Sequence, residues 1–283
     1  MTSSLTIHPF DAALGAEVAG VNLSNRLADE TVAAIQAAWD QYLVLLFRDQ
    51  AISDDALVAF SRRFGDLDKP GVNPQGKPYH PTQPFINVIS NEKANGVPIG
   101  NLGDGEAVWH ADMTYEEKPP KGAILHGLAV PTAGGATYFA NMFAAYEALD
   151  AADKALIADK LAIHDGAHNS AGMLRKGYVK QTDVRKTPGA RHPLVWRDGD
   201  RKALFLGRRP YSYIPGMTVA DSDALLDKLW AHATQDRFMI RHEWRSGDVL
   251  MWKNLRVLHK RDAFDPASRR VMHRTQISGE VAA

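Results

Sequence analysis

Residues 108–115, with the sequence VWHADMTY, contain the His-x-Asp pair around which the rest of the chain is organised. In an extended strand, residues i and i+2 point to the same face. The spacing therefore predicts that His110 and Asp112 offer one imidazole nitrogen and one carboxylate oxygen to a single ion. Such tripeptides also occur by chance, so a metal site requires a third ligand elsewhere in the chain.

His259 is the candidate third ligand, in an apolar strand context near the C-terminus. Two histidines and one carboxylate leave coordination positions open and suit Fe(II). After a turn, the alternation of the next strand places Arg270, Met272 and Arg274 on one face. An arginine there can grip a carboxylate through two parallel hydrogen bonds. The C-terminal stretch thus predicts an anion-binding group beside the metal.

Composition narrows the classes of function. Lys+Arg equals Asp+Glu, at 33 each, which gives no electrostatic case for nucleic acid or an anionic membrane as a partner. Without cysteine, the chain has no disulfides, thiolate nucleophile, Cys-bound zinc or iron–sulfur cluster. The start lacks the pattern of a signal peptide, and the longest aliphatic run, 43–47, is too short to span a bilayer. We expect a cytoplasmic protein, and the sequence leaves a homo-oligomer open.

Many short apolar runs separated by Gly- and Pro-rich turns predict a mainly β protein with flanking helices, a double-stranded β-helix or jelly roll. Helical spacing occurs twice in the first quarter, again at 144–161, and around Leu225. No repeat or interdomain linker is evident, so residues 1–283 are expected to form a single domain. Residues 165–193 are basic and show little periodicity, which is typical of an active-site lid or binding loop.

The chain resembles, almost from end to end, the Fe(II)/2-oxoglutarate-dependent dioxygenase family of taurine dioxygenase and 2,4-dichlorophenoxyacetate dioxygenase. The motifs that carry the resemblance are LGAEVAGV (14–21), FRDQ (47–50), RFG (63–65), WHAD (109–112), GGAT (134–137), AAYEAL (144–149), WKN (252–254) and RR (269–270). It implies that the chain is a dioxygenase domain with Fe(II) as cofactor and 2-oxoglutarate and O2 as co-substrates.

The resemblance also implies roles for single residues. The iron ligands would be His110, Asp112 and His259. Arg270 and Thr137 would hold the far carboxylate of 2-oxoglutarate, Arg274 would lie near the co-substrate and the anionic end of the primary substrate, and Trp252 would lie close to the iron pocket. Further substrate contacts are expected from Met113, Tyr115, Lys69, Arg208 and Tyr211. The remaining histidines are expected to be structural, with His80 and His168 the strongest exceptions.

The chain departs from the family pattern at four positions. Ala136 and Lys253 stand where the family usually has Asp. Pro70 and Asn73 stand where taurine dioxygenase has a His and a Tyr that hold its substrate. We therefore expect a small organic anion, with an aryloxyalkanoate-like carboxylate favoured over taurine.

Alternatives remain at this point. Within the family, the substrate could be taurine, another alkanesulfonate or a sulfate ester. From other classes, the chain could be a non-catalytic jelly-roll protein that binds a carboxylate, or a zinc hydrolase that uses the same triad. Neither of these needs a 2-oxoglutarate clamp, so Arg270 argues against both.

Overall fold

The fold is given by a computed structural model that describes residues 5–72, 76–105, 107–208 and 210–279. Within these ranges the helices, in chain order, are α1 Asp29–Tyr42, α2 Asp54–Ser61, α3 Met142–Glu147, α4 Ala151–Ile157 and α5 Val219–Ala233. Short 3-10 helices cover Arg62–Phe64, Val184–Lys186 and Asp236–Phe238. The positions of the α-helices confirm the regions in which helical spacing predicts them.

Strands make up most of the remaining regular structure. In the described chain they are β1 Thr6–Pro9, β2 Ala16–Ala19, β3 Val44–Phe47, β4 Asn87–Ser90, β5 Lys93–Ala94, β6 Val97–Pro98, β7 Asn101–Leu102, β8 Ala107–His110, β9 Gly122–Ala129, β10 Thr137–Asn141, β11 Leu161–Ile163, β12 Arg191–Pro193, β13 Val195–Asp198, β14 Arg201–Leu204, β15 Met239–His242, β16 Val249–Lys253, β17 Val257–Arg261 and β18 Val271–Ile277. The predicted class, mainly β with flanking helices, is confirmed.

Two sheets form the body of the molecule. The larger has the strand order β1-β2-β3-β16-β9-β18-β4-β7, and the smaller has the order β15-β10-β17-β8. They face each other across a shared core: the ring of Trp252 on β16 lies 5.5 Å from that of Phe139 and 5.1 Å from that of His259, both on the smaller sheet. This arrangement is the predicted jelly roll.

The middle of the larger sheet is buried on both faces. Along β3, Val44 and Leu46 join the core between the sheets, whereas Leu45 and Phe47 join a second core. Side chains alternate between the faces of a strand, so the continuous apolar run of β3 serves both cores. Helices α1 and α2 supply the outer core, with Trp39 fully buried within it. The same alternation on β18 directs Arg274 inward and His273 outward.

The structure adds two details to the expected fold. Strand β8 ends at His110, so Asp112 lies in a turn and not in the extended strand that the His-x-Asp argument assumed. Residues 165–170 are mostly buried, and the carbonyl of Ser170 accepts a hydrogen bond from the backbone of Val108. The first part of the 165–193 segment is therefore packed against β8. Among the described residues, no helix combines the length and apolar character needed to cross a bilayer.

Candidate active site

The predicted triad comes together where β8 and β17 pair. His110 and His259 are register partners on these antiparallel strands, and their ring centroids lie 4.2 Å apart. Asp112 reaches the same point from the following turn, with Oδ1 3.8 Å from His110 Nε2 and Oδ2 3.9 Å from His259 Nε2. All three side chains are buried. The donor set therefore converges as a metal site requires.

The ionisation of the triad also suits a divalent cation. Burial, together with the neighbouring His259, lowers the pKa of His110 to about 3, and burial lowers the pKa of His259 to about 4. Burial by itself would raise the pKa of Asp112, but the charge of Arg274 opposes it and brings that pKa to about 2. At neutral pH the site holds two neutral imidazoles and one carboxylate, which are the protonation states that metal ligands need.

A backbone carbonyl fixes the tautomer of His110. Its Nδ1 lies 2.6 Å from the carbonyl oxygen of Val108, which can only accept a hydrogen bond. The proton of the neutral ring is therefore on Nδ1, and the lone pair of Nε2 faces Asp112. Metal-binding histidines are commonly oriented in this way. The residues present fit a cation such as Fe(II), with His110 Nε2, His259 and Asp112 as the groups that would hold it.

Arg274 is engaged with Asp112. Its Nη1 donates to both carboxylate oxygens, at 3.0 Å and 2.9 Å. The resemblance implied that this arginine lies near the co-substrate and the anionic end of the primary substrate. It does line both cavities described below, but in this structure its closest anionic partner is the triad carboxylate.

A small cavity of about 50 Å³ lies beside the triad and contains the predicted co-substrate residues. Its lining includes His110, Thr137, Trp252, His259, Arg261, Arg270 and Arg274. Arg270 is 2% exposed, and its Nε has no hydrogen-bond partner among the described residues. Burial and the neighbouring Arg261 lower its pKa to about 9, so it is still charged at neutral pH. A buried guanidinium with an unused donor fits a carboxylate ligand.

Thr137 also lines this cavity, and a residue that the sequence did not single out bonds to its hydroxyl group. Trp244 Nε1 donates to Thr137 Oγ1 at 2.9 Å. Since the hydroxyl oxygen accepts this bond, its own proton is available to a second acceptor. Trp244 lies two residues after β15, and it comes near Thr137 because β15 pairs with β10. Nothing local in the sequence therefore signals the contact.

A larger cavity of about 450 Å³ opens on the other side of the triad. Five of the six predicted substrate contacts line it: Lys69, Met113, Tyr115, Arg208 and Arg274. Tyr211 is not among the described residues that line it, and its ring stacks on that of His168 with centroids 3.7 Å apart. Pro70 lines the cavity, whereas Asn73 is outside the described residues.

Besides Arg274, which pairs with Asp112, two further arginines bring positive charge to this cavity. Arg208 is buried; its Nη2 donates to the carbonyl of His168 at 2.6 Å, and its Nε has no partner among the described residues. Arg175, which the sequence did not single out, comes from the 165–193 segment and lies 4.0 Å from the centroid of the Tyr115 ring. The cavity therefore offers cations and an aromatic face together.

Two residues that stand where the family usually has Asp, Ala136 and Lys253, are not among the metal-ligand candidates. Lys253 forms an ion pair with Asp40 and lies 4.2 Å from the centroid of the Trp39 ring, on the outer side of the larger sheet. Ala136 is buried just before Thr137. The structure gives no specific reason for alanine at that position.

A second group of ligand-type residues lies on the outer face of β18. Asp54 Oδ2 is 2.8 Å from His80 Nε2, and Asp54 Oδ1 is 2.6 Å from His273 Nδ1. The backbone N–H of Gln83 donates to His80 Nδ1 at 2.8 Å, so neutral His80 carries its proton on Nε2 and donates it to Asp54. That nitrogen then has no lone pair for a metal. We interpret this group as a hydrogen-bonded tie between the loop before β4, helix α2 and β18.

Comparison with known proteins agrees with this site. The family model described as taurine catabolism dioxygenase TauD, TfdA family matches residues 6–276. The chain is 34% identical to the (S)-phenoxypropionate/alpha-ketoglutarate-dioxygenase of Delftia acidovorans, over 99% of this chain and 97% of that protein. It is 31% identical to the alpha-ketoglutarate-dependent 2,4-dichlorophenoxyacetate dioxygenase of Cupriavidus pinatubonensis, over 96% of each.

A solved structure is similar over the same extent. The crystal structure of AAD-2 in complex with Mn(II) and N-oxalylglycine superposes with a TM-score of 0.80 at 29% identity, covering 99% of this chain and all of that one. With the converging triad and the buried Arg270 in place, the matches from end to end leave one conclusion: the chain belongs to the TauD/TfdA family of alpha-ketoglutarate-dependent dioxygenases.

Proposed function

We propose that the protein is an Fe(II)- and 2-oxoglutarate-dependent dioxygenase that hydroxylates a small organic anion, with an aryloxyalkanoate-like carboxylate as the favoured substrate. The observation that carries the proposal is the joint presence, around one small cavity, of the buried triad and of a charged Arg270 whose Nε has no partner among the described residues. A metal site alone would also suit a hydrolase. A buried arginine beside it calls for a carboxylate co-substrate.

When bound, the iron and 2-oxoglutarate supply the oxidising chemistry, in which O2 provides one oxygen atom to succinate and one to the hydroxylated product while CO2 leaves. The protein supplies position and charge. Arg270 binds the far carboxylate of the co-substrate, and the hydroxyl of Thr137 donates to the same group. Burial of the triad and of Arg270 excludes bulk water, which strengthens these charged contacts.

The larger cavity supports an anionic substrate with an apolar body. Lys69, Arg175 and Arg208 contribute positive charge to its lining, whereas Tyr115 and Met113 offer the faces against which a ring can pack. Arg274 donates to both carboxylate oxygens of Asp112, at 3.0 Å and 2.9 Å, whereas the carboxylate of Asp165 lies 4.0 Å from Arg208. We therefore assign the substrate carboxylate first to Arg208. Pro70 has no donor to offer a sulfonate.

The names of two relatives agree with this choice. The two enzymes are named for (S)-phenoxypropionate and for 2,4-dichlorophenoxyacetate, which are aryloxyalkanoates. We carry this substrate class over to the present chain as a proposal, together with a role for residues 165–193 as the cover of the cavity. Arg175 supports the second part, because it reaches from that segment to the ring of Tyr115.

A substrate panel scored by succinate release tests the proposal. Aryloxypropionates and aryloxyacetates are expected to give higher kcat/KM than taurine, other alkanesulfonates and sulfate esters, because the cavity combines an arginine with an aromatic wall. The methyl ester of the best acid is the matched control: it keeps the ring and removes the charge, so it should be a poor substrate. If taurine has a higher kcat/KM than every aryloxyalkanoate, the substrate assignment is wrong and the dioxygenase assignment is unaffected.

Two further expectations belong to the proposal: a cytoplasmic location and action as a single catalytic domain over residues 1–283. Self-association is left open. Cell fractionation of the tagged protein measures its location, and light scattering on the purified chain measures self-association.

A further inference from the structure

Asn254 is fully buried and bonds to both backbone polar groups of Asp112. Its Oδ1 accepts from the Asp112 N–H at 2.7 Å, and its Nδ2 donates to the Asp112 carbonyl at 2.9 Å. The same Nδ2 donates to the carbonyl of Pro120 at 2.8 Å. One side chain therefore makes three hydrogen bonds to two separate segments.

The orientation of this amide is determined by its neighbours. Oδ1 faces an N–H donor, and Nδ2 faces two carbonyl oxygens, which can only accept. The flipped amide would point its NH2 at an N–H and its oxygen at two carbonyls, which loses all three bonds. Asn254 is thus specified by both halves of its amide, and no other common side chain of its size offers one acceptor and two donors in this shape.

Asp112 needs such support because it is outside a strand. Strand β8 ends at His110, so the backbone of Asp112 lacks the ladder that fixes its partner ligands. The next residue, Met113, has a φ of 51°, which marks an abrupt change of chain direction. Asn254 supplies the donor and the acceptor that a neighbouring strand would otherwise provide. Arg274 orients the carboxylate, and Asn254 holds the backbone from which it projects.

The position of Asn254 also links Asp112 to the third ligand. It lies in the connection between β16 and β17, five residues before His259, and its own N–H donates to the carbonyl of Lys121 at 2.9 Å. Its side chain reaches Asp112, 142 positions earlier in sequence. The connection that leads into the His259 strand is thereby tied to the turn that carries the carboxylate.

We propose that Asn254 is a positioning residue for the metal centre, which sets the placement of Asp112 relative to His110 and His259 without contacting metal or substrate itself. The inference rests on the proposed iron-binding role of the triad. Removing a group that orients a metal ligand in this way typically lowers metal affinity or activity roughly 10- to 100-fold. Asn254 is expected to fall in that range.

The test is the Fe(II) dissociation constant of the full-length protein, measured anaerobically by titration calorimetry. Asn254→Asp keeps the size of the side chain but replaces the two donated hydrogen bonds with an oxygen facing two carbonyls. It should weaken Fe(II) binding about 10- to 100-fold. It should also reduce the rise in melting temperature that Mn(II) produces, since that rise reports binding to the folded state.

The matched control is Asn141→Asp. Asn141 is also buried, accepts from the backbones of Phe143 and Ala144, and donates to the carbonyl of Ala13, away from the triad. This variant makes the same chemical change, so it should lower the melting temperature with and without metal equally and leave the Fe(II) constant unchanged. Asn254→Ala serves in place of Asn254→Asp if the latter does not fold.

Each outcome decides the point. Wild-type Fe(II) affinity in a folded Asn254 variant overturns the inference, as does failure of both Asn254 variants to fold in the cold, because the residue would then be a general requirement of the fold. If wild-type protein itself does not bind Fe(II), the proposed function fails instead. Weaker binding in the Asn254 variant alone supports the positioning role.

Discussion

Replacing His110 or His259 with alanine is expected to abolish turnover and to weaken Fe(II) binding strongly. Each substitution leaves one imidazole and one carboxylate, which cannot hold the ion in a defined face. Because both histidines are buried and lie at register-paired positions, no neighbouring described side chain is placed to substitute for either of them. The measurement is succinate release together with anaerobic Fe(II) titration.

His232→Ala is the control for this experiment. Its ring, on helix α5, hydrogen-bonds the carbonyl of Ala145, so the variant loses a partly buried contact without touching the triad. It should lose some thermal stability, of the order of 1 kcal/mol, and keep its Fe(II) affinity. Near-normal turnover in His110→Ala or His259→Ala would show that the triad assignment is wrong.

Arg270→Ala is expected to raise the KM for 2-oxoglutarate about 100-fold or more. The far carboxylate of the co-substrate would lose its charged partner in a buried cavity, and a loss of about 2.7 kcal/mol corresponds to a factor of about 100. Arg270→Lys should recover only part of this loss, because an ammonium does not reproduce the planar pair of donors. The KM for 2-oxoglutarate under saturating Fe(II) measures both variants.

The adjacent Arg269 provides a control within the same motif. Its side chain is exposed and pairs with Glu92. Arg269→Ala removes the same charge one residue away and should leave the KM for 2-oxoglutarate unchanged. If Arg270→Ala also has an unchanged KM, the co-substrate clamp lies elsewhere, and Arg274 is the first alternative because it lines the same cavity.

Much of the fold follows from local patterns in the sequence. The apolar run 43–47 contains β3, which is buried on both faces, and the hydroxyl of Ser53 caps α2 by accepting from the backbone of Ala56. The turn that leads into β18 puts Arg270 and Arg274 on one cavity, as the alternation predicts. These features depend on residues close in sequence, where spacing and turn chemistry act directly.

The features that could not be predicted from the sequence depend on long-range contacts. The ion pair of Arg274 with Asp112 spans 162 positions, and the contact of Trp244 with Thr137 spans 107. No local spacing encodes such pairs. The side chains of His110 and Asp112 do converge, but Asp112 is placed by a turn and by Asn254 and not by the strand pleat that the same-face argument assumed. Family motifs predict these residues as the ligands, and the geometry shows how their side chains are held.

The triad and Arg270 are expected to support oxidative chemistry on an organic anion when iron and 2-oxoglutarate are bound. The most direct measurement is the yield of succinate and of hydroxylated product from the purified protein with Fe(II), 2-oxoglutarate, O2 and an aryloxypropionate, with Zn(II) in parallel. We predict one succinate for each product molecule with Fe(II) and none with Zn(II). Substrate turnover with Zn(II) and no succinate would indicate a hydrolase. If the protein binds 2-oxoglutarate but releases no succinate with any anion in the panel, it is a non-catalytic binding protein. Either of these two results would contradict the dioxygenase assignment.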